Sequence, residues 1–359
     1  MKKISLFIMA ILVFAGCYST EDHSRNPQGY VRHCVRLMDR CGLYSNTDEW
    51  KSTRDSVLRL SKHVNSYDEA HAIIKNVISI AGGKHSFLKQ PLKDTSTYIE
   101  TVPVIDYLES NILHITLPAH SGVIVSDSTY VNTVINALRE HEGDAKGIII
   151  DLRGNHGGDM YPMIAAVSPL IQDNNLLRFQ SAGRHIRVIP ILLDDIIKSQ
   201  TIAGDGYFKM SEKTPIAILI DENTASSGEA TLLAFRGMDN VRTFGANTAG
   251  YASANASFDL SDGYTLVLTV GKEIARTGEV FCDEPIEPDM LTETPLEDAV
   301  IWIKAESNYL SVEWHLSSIL SGSKIKIRGH LVGLPQLVSW ISDGPAKAIG
   351  IGNCPLNTR

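Results

Sequence analysis

Asp151-Leu-Arg-Gly-Asn-His-Gly-Gly158 and Asp221-Glu-Asn-Thr-Ala-Ser-Ser-Gly-Glu229 are two polar elbows of one design. Each follows a short apolar run, Gly147 to Ile150 and Ile216 to Ile220, too short for a helix and patterned like a strand buried on both faces. Each opens a helix-like stretch. Apolar residues recur at helical spacing from Met160 to Ile171, and a second helix is expected from about Glu229 to Gly237. Strand, elbow and helix, repeated, imply an α/β core. The elbows set reactive side chains and free backbone N–H donors at helix N-termini, where negative charge is stabilised. Gly154, Gly157 and Gly158 permit positive φ and close backbone approach.

Two readings of the second elbow stand side by side. Ser226 is placed as a nucleophile of acyl transfer, while Ser226-x-x-Glu229 is also a capping box that starts a helix. Gly157-Gly158 is in the same position, since glycine pairs commonly serve only to turn the chain.

Working outward, residues 29–83 read as an N-terminal helical cap, with Val31, Cys34, Val35 and Met38, then Trp50, Val57 and Leu58, then Ala70, Ile73, Ile74 and Val77 at helical spacing. Residues 84–305 form the core. Strands are expected at Thr101 to Ile105 and Ile112 to Leu117, with a helix around Tyr130 to His141. Residues 173–213 read as a lid or insertion, in which Ile191 to Ile197 is a binding edge or a helix packed on the core, the helix being preferred. Residues 306–359 are an unassigned tail without sustained periodicity.

The amino terminus reads as a targeting segment. Lys2-Lys3 precede a mostly apolar run to Phe14 and then Ala15-Gly16-Cys17. The run is too short to span a bilayer, and small residues before a cysteine resemble a bacterial lipobox, which gives a lipoprotein-type signal over 1–17 with a polar tether over 18–28; the alternatives are an ordinary secretory signal cleaved nearby or a cysteine there by chance. The lipoprotein reading places the chain in the bacterial cell envelope, exported and membrane-anchored through lipid on Cys17. A net charge of −8 with no basic stripe argues against nucleic-acid binding. His-x-x-x-His and Cys-x-x-Cys are absent, so no metal site is expected. Cys34 and Cys41, if on one helix, lie about 10 Å apart along its axis, beyond disulfide reach.

Further segments recur with the elbows in a fixed order: Gly82-Gly-Lys-His-Ser-Phe87, Gly245-Ala-Asn-Thr-Ala-Gly250, Leu260-Ser-Asp-Gly263 and Pro285-Ile-Glu-Pro-Asp289. From about Tyr30 to Lys304 the chain resembles the C-terminal processing peptidases (tail-specific serine proteases) and their relatives, the tricorn core peptidases and the interphotoreceptor retinoid-binding proteins, in a form without a PDZ domain. The resemblance implies a superhelical ββα core of the crotonase and caseinolytic-protease kind. It makes Ser226 the nucleophile and the backbone N–H groups of Gly157 and Ser227 the oxyanion donors.

In the processing peptidases the base is a lysine twenty-five residues after the serine; here that position is Tyr251, so a serine–lysine dyad is excluded. A tricorn-like arrangement remains, with His85 as base and Glu284 as orienting carboxylate, Asp283 and Glu279 being the alternatives. Histidine suits the role because its ordinary pKa near 6.5 lets it take and return the serine proton near neutral pH. An α/β-hydrolase elbow is spoiled by Thr224, and the only histidines after Ser226, His315 and His330, lie in the tail.

The expected activity is peptide-bond hydrolysis of protein or peptide substrates through an acyl-enzyme, without cofactor. The competing reading is a non-catalytic module of the same fold that binds apolar ligands or peptides, as the retinoid-binding relatives imply.

Overall fold

A computed structural model describes residues 26–91, 99–181, 186–200 and 207–320, the last thirteen for backbone only. The signal segment, Cys17 and most of the expected tether and tail lie outside the described residues. The chain divides into two units, 1–310 and 311–359, and both sheets lie in the first.

The elements run α1 (Pro27–Cys41), α2 (Asp48–Leu60), α3 (Tyr67–Gly82), β1 (Phe87–Lys89), β2 (Val104–Leu108), β3 (Ile112–Thr116), α4 (Asp127–Glu140), β4 (Gly147–Asp151), α5 (Met160–Ala166), β5 (Asn175–Ser181), β6 (Val188–Leu192), α6 (Leu193–Ser199), β7 (Ile216–Ile220), α7 (Ser227–Leu233), β8 (Val241–Gly245), β9 (Ser253–Asp259), β10 (Thr265–Ala275), β11 (Val280–Phe281), β12 (Met290–Leu291) and α8 (Pro295–Leu320). One sheet has the order β12-β8-β7-β4-β3-β2, parallel except for the β2–β3 hairpin. The second is antiparallel, β1-β10-β5-β6, with β9 and β11 also pairing β10.

The α/β core is as expected. β4 and β7 are buried at every position, because helices cover both faces of this parallel sheet. Ile148, Ile150, Ile218 and Ile220 face α4, α5 and α7 in the main core, whereas Ile149, Ala217 and Leu219 pack with Ala299 and Ile303 of α8. The cap helices α1–α3 bury Tyr30, Trp50, Ile74 and Ile78 against Leu266, Leu268 and Val270 of β10. Thr47 and Ser66 cap α2 and α3 with side-chain oxygens. Gly83, at φ +83°, ends α3 and turns the chain into the Lys84-His85 corner.

Several boundaries differ from the sequence reading: α4 begins at Asp127 and not Tyr130, and α6 begins at Leu193, because Ile191 and Leu192 belong to β6. β2 begins at Val104 and not Thr101, since Pro103 has no N–H to give the ladder. α5 stops at Ala166 because Pro169 cannot continue it. α7 runs from Ser227 to Leu233, two residues earlier than expected at its start, because Glu229 closes on Ser226. The 173–213 stretch supplies β5 and β6 to the antiparallel sheet, and α6 buries Leu193, Ile196 and Ile197 in the main core.

Candidate active site

Because β4 and β7 are parallel neighbours, with Asp151 opposite Leu219, their two elbows emerge side by side. They are laced together by backbone and side-chain hydrogen bonds. Ala225 N–H donates to Asn155 O at 2.9 Å, the Thr224 hydroxyl to Leu152 O at 2.9 Å, and Gly154 N–H to Asp221 Oδ1 at 3.0 Å. The fully buried Asn155 donates through Nδ2 to Leu117 O at 2.8 Å. Asp151 is itself locked by Arg153, which donates to it at 2.9 and 2.6 Å.

At the crest of the second elbow, Ser226 has φ +54° and ψ −116°. This conformation costs a non-glycine residue on the order of 1–3 kcal/mol and persists only where the surroundings enforce it. They do so here: Ser226 N–H donates to Glu229 Oε2 at 2.8 Å, and Ser226 O accepts from Ala230 N at 2.9 Å. Gly157, at φ +97°, stands directly against it. A Cβ at 157 would lie 2.8 Å from Ser226 Cβ and 3.1 Å from Ser227 N.

Glu229, fully buried, does more than cap a helix. Its Oε1 accepts from the Thr248 hydroxyl at 2.5 Å and Gly250 N at 2.9 Å, and its Oε2 accepts from Tyr251 N as well as Ser226 N, both at 2.8 Å. Burial pushes its pKa up, and the donors oppose that shift. Three of the four donors are backbone N–H groups that cannot reverse their polarity, so the site is built for the ionised carboxylate. Sequence reading saw this residue only as half of a capping box. Behind it lies a second buried carboxyl, Glu273 on β10, 3 % exposed, with Oε2 unpartnered. Burial and the neighbouring Glu229 push its pKa up to about 8, so Glu273 is protonated at neutral pH.

His85 is 9 % exposed and lies beside the segment that Glu229 holds. Its ring centroid is 5.1 Å from that of Tyr251, edge to face, and its Nδ1 is 2.9 Å from Ser253 Oγ. Burial, and then the charge of Lys84, push its pKa down to about 4, so the ring is neutral at ordinary pH. An Nδ1–H donated to Ser253 Oγ leaves Nε2 with the free lone pair a base requires.

The expected residues therefore meet in part. Ser226 and His85 are tied to one hub through Glu229 and Tyr251, yet no hydrogen bond joins them among the described residues. The N–H of Ser227 is one of the donors that a helix start leaves unused. That of Gly157 donates to Asn155 Oδ1 at 2.9 Å, which leaves only Ser227 of the two expected oxyanion donors open in this conformation. The Ser227 hydroxyl donates to Gly158 O at 2.8 Å.

The described neighbour of His85 Nδ1 is Ser253 Oγ; the expected Glu284 is exposed, and no hydrogen bond joins it to His85 among the described residues. Of its alternatives, Glu279 is held by Arg236 at 2.7 Å and Asp283 accepts from Tyr44 at 3.2 Å. Asp289 bridges β8 and β12 by accepting from Thr243 N–H and hydroxyl. No cluster of metal-ligating side chains occurs among the described residues.

Residues 111–292, which span both elbows, match the family model of peptidase family S41. The chain belongs to this family. It is 35 % identical to the nisin-resistance protein of Lactococcus lactis subsp. lactis, over 78 % of this chain and 88 % of that protein. It is 26 % identical to the carboxy-terminal processing protease CtpA of Bacillus subtilis, over 67 % of this chain but only 48 % of that protease. Among solved structures, a lipoprotein from Streptococcus agalactiae superposes with a TM-score of 0.72 at 31 % identity, covering 80 % of this chain and 99 % of that one. The photosystem II D1 C-terminal processing protease shares the S41 fold, at a TM-score of 0.52 and 12 % identity over 75 % of this chain and 94 % of that one.

Proposed function

We propose that this S41 chain is an exported serine peptidase that hydrolyses peptide bonds through an acyl-enzyme on Ser226. The observation that carries the reading is the strained backbone of Ser226, fixed by Glu229 and Gly157 beside a free Ser227 N–H. A residue that only capped a helix has no need of φ +54°. Ser226 Oγ attacks the carbonyl carbon and its proton passes to His85 Nε2, while the Ser227 N–H faces the developing oxyanion. Collapse breaks the C–N bond, and His85 returns the proton to the leaving amine. Water then repeats the sequence, giving its proton to His85 and releasing the acid and Ser226. The Ser226–His85 contact closes when substrate binds, as such contacts do in sites that are loose when empty. Gly157 can join the oxyanion donors by giving up its bond to Asn155.

The peptide reading extends to location and substrate. A lipid on Cys17 anchors the protein to the cell envelope; the likeness to the S. agalactiae lipoprotein supports this, and no helix among the described residues is long and apolar enough to cross a membrane. The L. lactis relative makes nisin the first substrate to offer. Purified mature protein is incubated with nisin and a mixed peptide library, and products are read by mass spectrometry. Wild type should yield cleavage products and Ser226→Ala none.

The second reading, a non-catalytic binding module, is favoured by the unjoined Ser226 and His85 and by the occupied Gly157 N–H. It predicts no cleavage by wild type, with apolar-ligand or peptide binding unchanged in Ser226→Ala.

A further inference from the structure

Lys84 is an exposed lysine one residue before the candidate base, and its ammonium sits in a built slot. Nζ donates to Ala249 O at 3.1 Å and lies 4.8 Å from the centre of the Tyr251 ring. Gly250, at φ +76°, leaves room for it: a Cβ there would lie 2.8 Å from Lys84 Nζ, besides meeting the Pro285 N and Glu284 C backbone at 2.7 and 2.8 Å. The segment so gripped, Thr248 to Tyr251, is the one whose N–H groups Glu229 also holds, and Tyr251 carries the ring that abuts His85. Lys84 thus closes a loop of contacts from the Ser226 elbow through Glu229 and Tyr251 back to His85.

We propose that Lys84 is a positioning residue, a latch that fixes the Thr248–Tyr251 segment against His85 while setting a positive charge beside the imidazole. The inference rests on the peptidase reading. Other charged or titratable groups at this corner are Asp283, held by Tyr44, and Glu284 on the segment facing Gly83 and Gly250, and Glu229 on α7 with Glu273 behind it. None of these carboxylates forms an ion pair with Lys84 among the described residues, so its charge acts on His85 unneutralised by a direct partner. The two effects of Lys84 have opposite signs for the reaction. Its charge disfavours the imidazolium, and its grip favours alignment.

That opposition makes the test sharp. The rate of fluorophosphonate labelling of Ser226 is measured against pH for wild type, Lys84→Met and Lys84→Arg, with folding checked by thermal melting. Removing the charge alone would speed labelling, so a plateau rate in Lys84→Met lower by about three- to tenfold isolates the lost latch. The acid limb of the same variant should move up by about 0.3–1 pH unit, because a like charge no longer opposes protonation of His85. Lys84→Arg, which keeps charge and cation–π contact, should stay near wild type in both. A folded Lys84→Met with an unchanged plateau, or an unchanged acid limb, overturns the proposal. So does strong labelling of His85→Ala together with none of Lys84→Met, which would make Lys84 the base. Absence of labelling in wild type instead sinks the peptidase reading.

Discussion

Glu229→Gln is the substitution that most directly probes how the nucleophile elbow is held. The amide has one acceptor oxygen where the carboxylate has two, and each carboxylate oxygen now serves two donors. The side chain will turn its NH₂ toward Thr248, whose hydroxyl already accepts from Ile286 N at 2.8 Å and has a second lone pair to offer. That leaves Gly250 N–H facing a donor, a buried orphan worth about 1–3 kcal/mol. Ser226 N and Tyr251 N keep an acceptor but lose its charge, about 1 kcal/mol each, and relief from burying a carboxylate offsets part of this. The net expectation is about 1–3 kcal/mol of lost stability, measured from denaturant midpoints, with the strain at Ser226 no longer enforced and fluorophosphonate labelling slower by about ten- to a hundredfold. A variant within about 0.5 kcal/mol of wild type that labels normally would refute the hub role of Glu229.

Glu273→Gln should behave in the opposite way. The carboxyl is raised from 4.5 to about 8 in the folded chain, so the unfolded state releases its proton first, and wild-type stability should fall as pH rises between those values. Melting temperatures from pH 5 to 9 should decline less in the variant, and equal slopes would count against a buried protonated Glu273. Gly157→Ala should lose labelling and melt lower, since φ +97° is strained for alanine and the new methyl meets Ser226 Cβ at 2.8 Å; normal labelling would remove the close packing argued here. For the unliganded enzyme, the acid limb of labelling rate should fall near pH 4, where His85 titrates, and a midpoint at the ordinary 6.5 would mean His85 is not buried as described.

The parallel strands β4 and β7 were legible because burial on both faces leaves a continuous apolar run, and the elbows after them because polarity and glycine interrupt it so sharply. The strands β5 and β6 were not legible within the stretch read as a lid or insertion, since their burial does not alternate cleanly and Pro190 falls within β6. Ser226 and His85 could be named from the order of motifs. Glu229 could be named only as a cap, because three of its four donors come from Thr248, Gly250 and Tyr251, which no local pattern connects to it. Ser253 was not legible as a neighbour of His85 for a related reason: proximity to His85 is set where β9 begins, by Ser253 pairing with Lys272 of β10, and not by the spacing of the carboxylates Glu279, Asp283 and Glu284 before Pro285.

The central claim is that Ser226 is an activated nucleophile. Mature wild type, Ser226→Ala and Ser227→Ala are treated with a fluorophosphonate and analysed by intact mass and peptide mapping. The account predicts one adduct per chain on Ser226 of wild type, none on Ser226→Ala, and a slower but complete reaction of Ser227→Ala, which loses only the hydroxyl bond to Gly158. Equal labelling of Ser226→Ala, or a wild-type adduct mapped to any other residue, would contradict it.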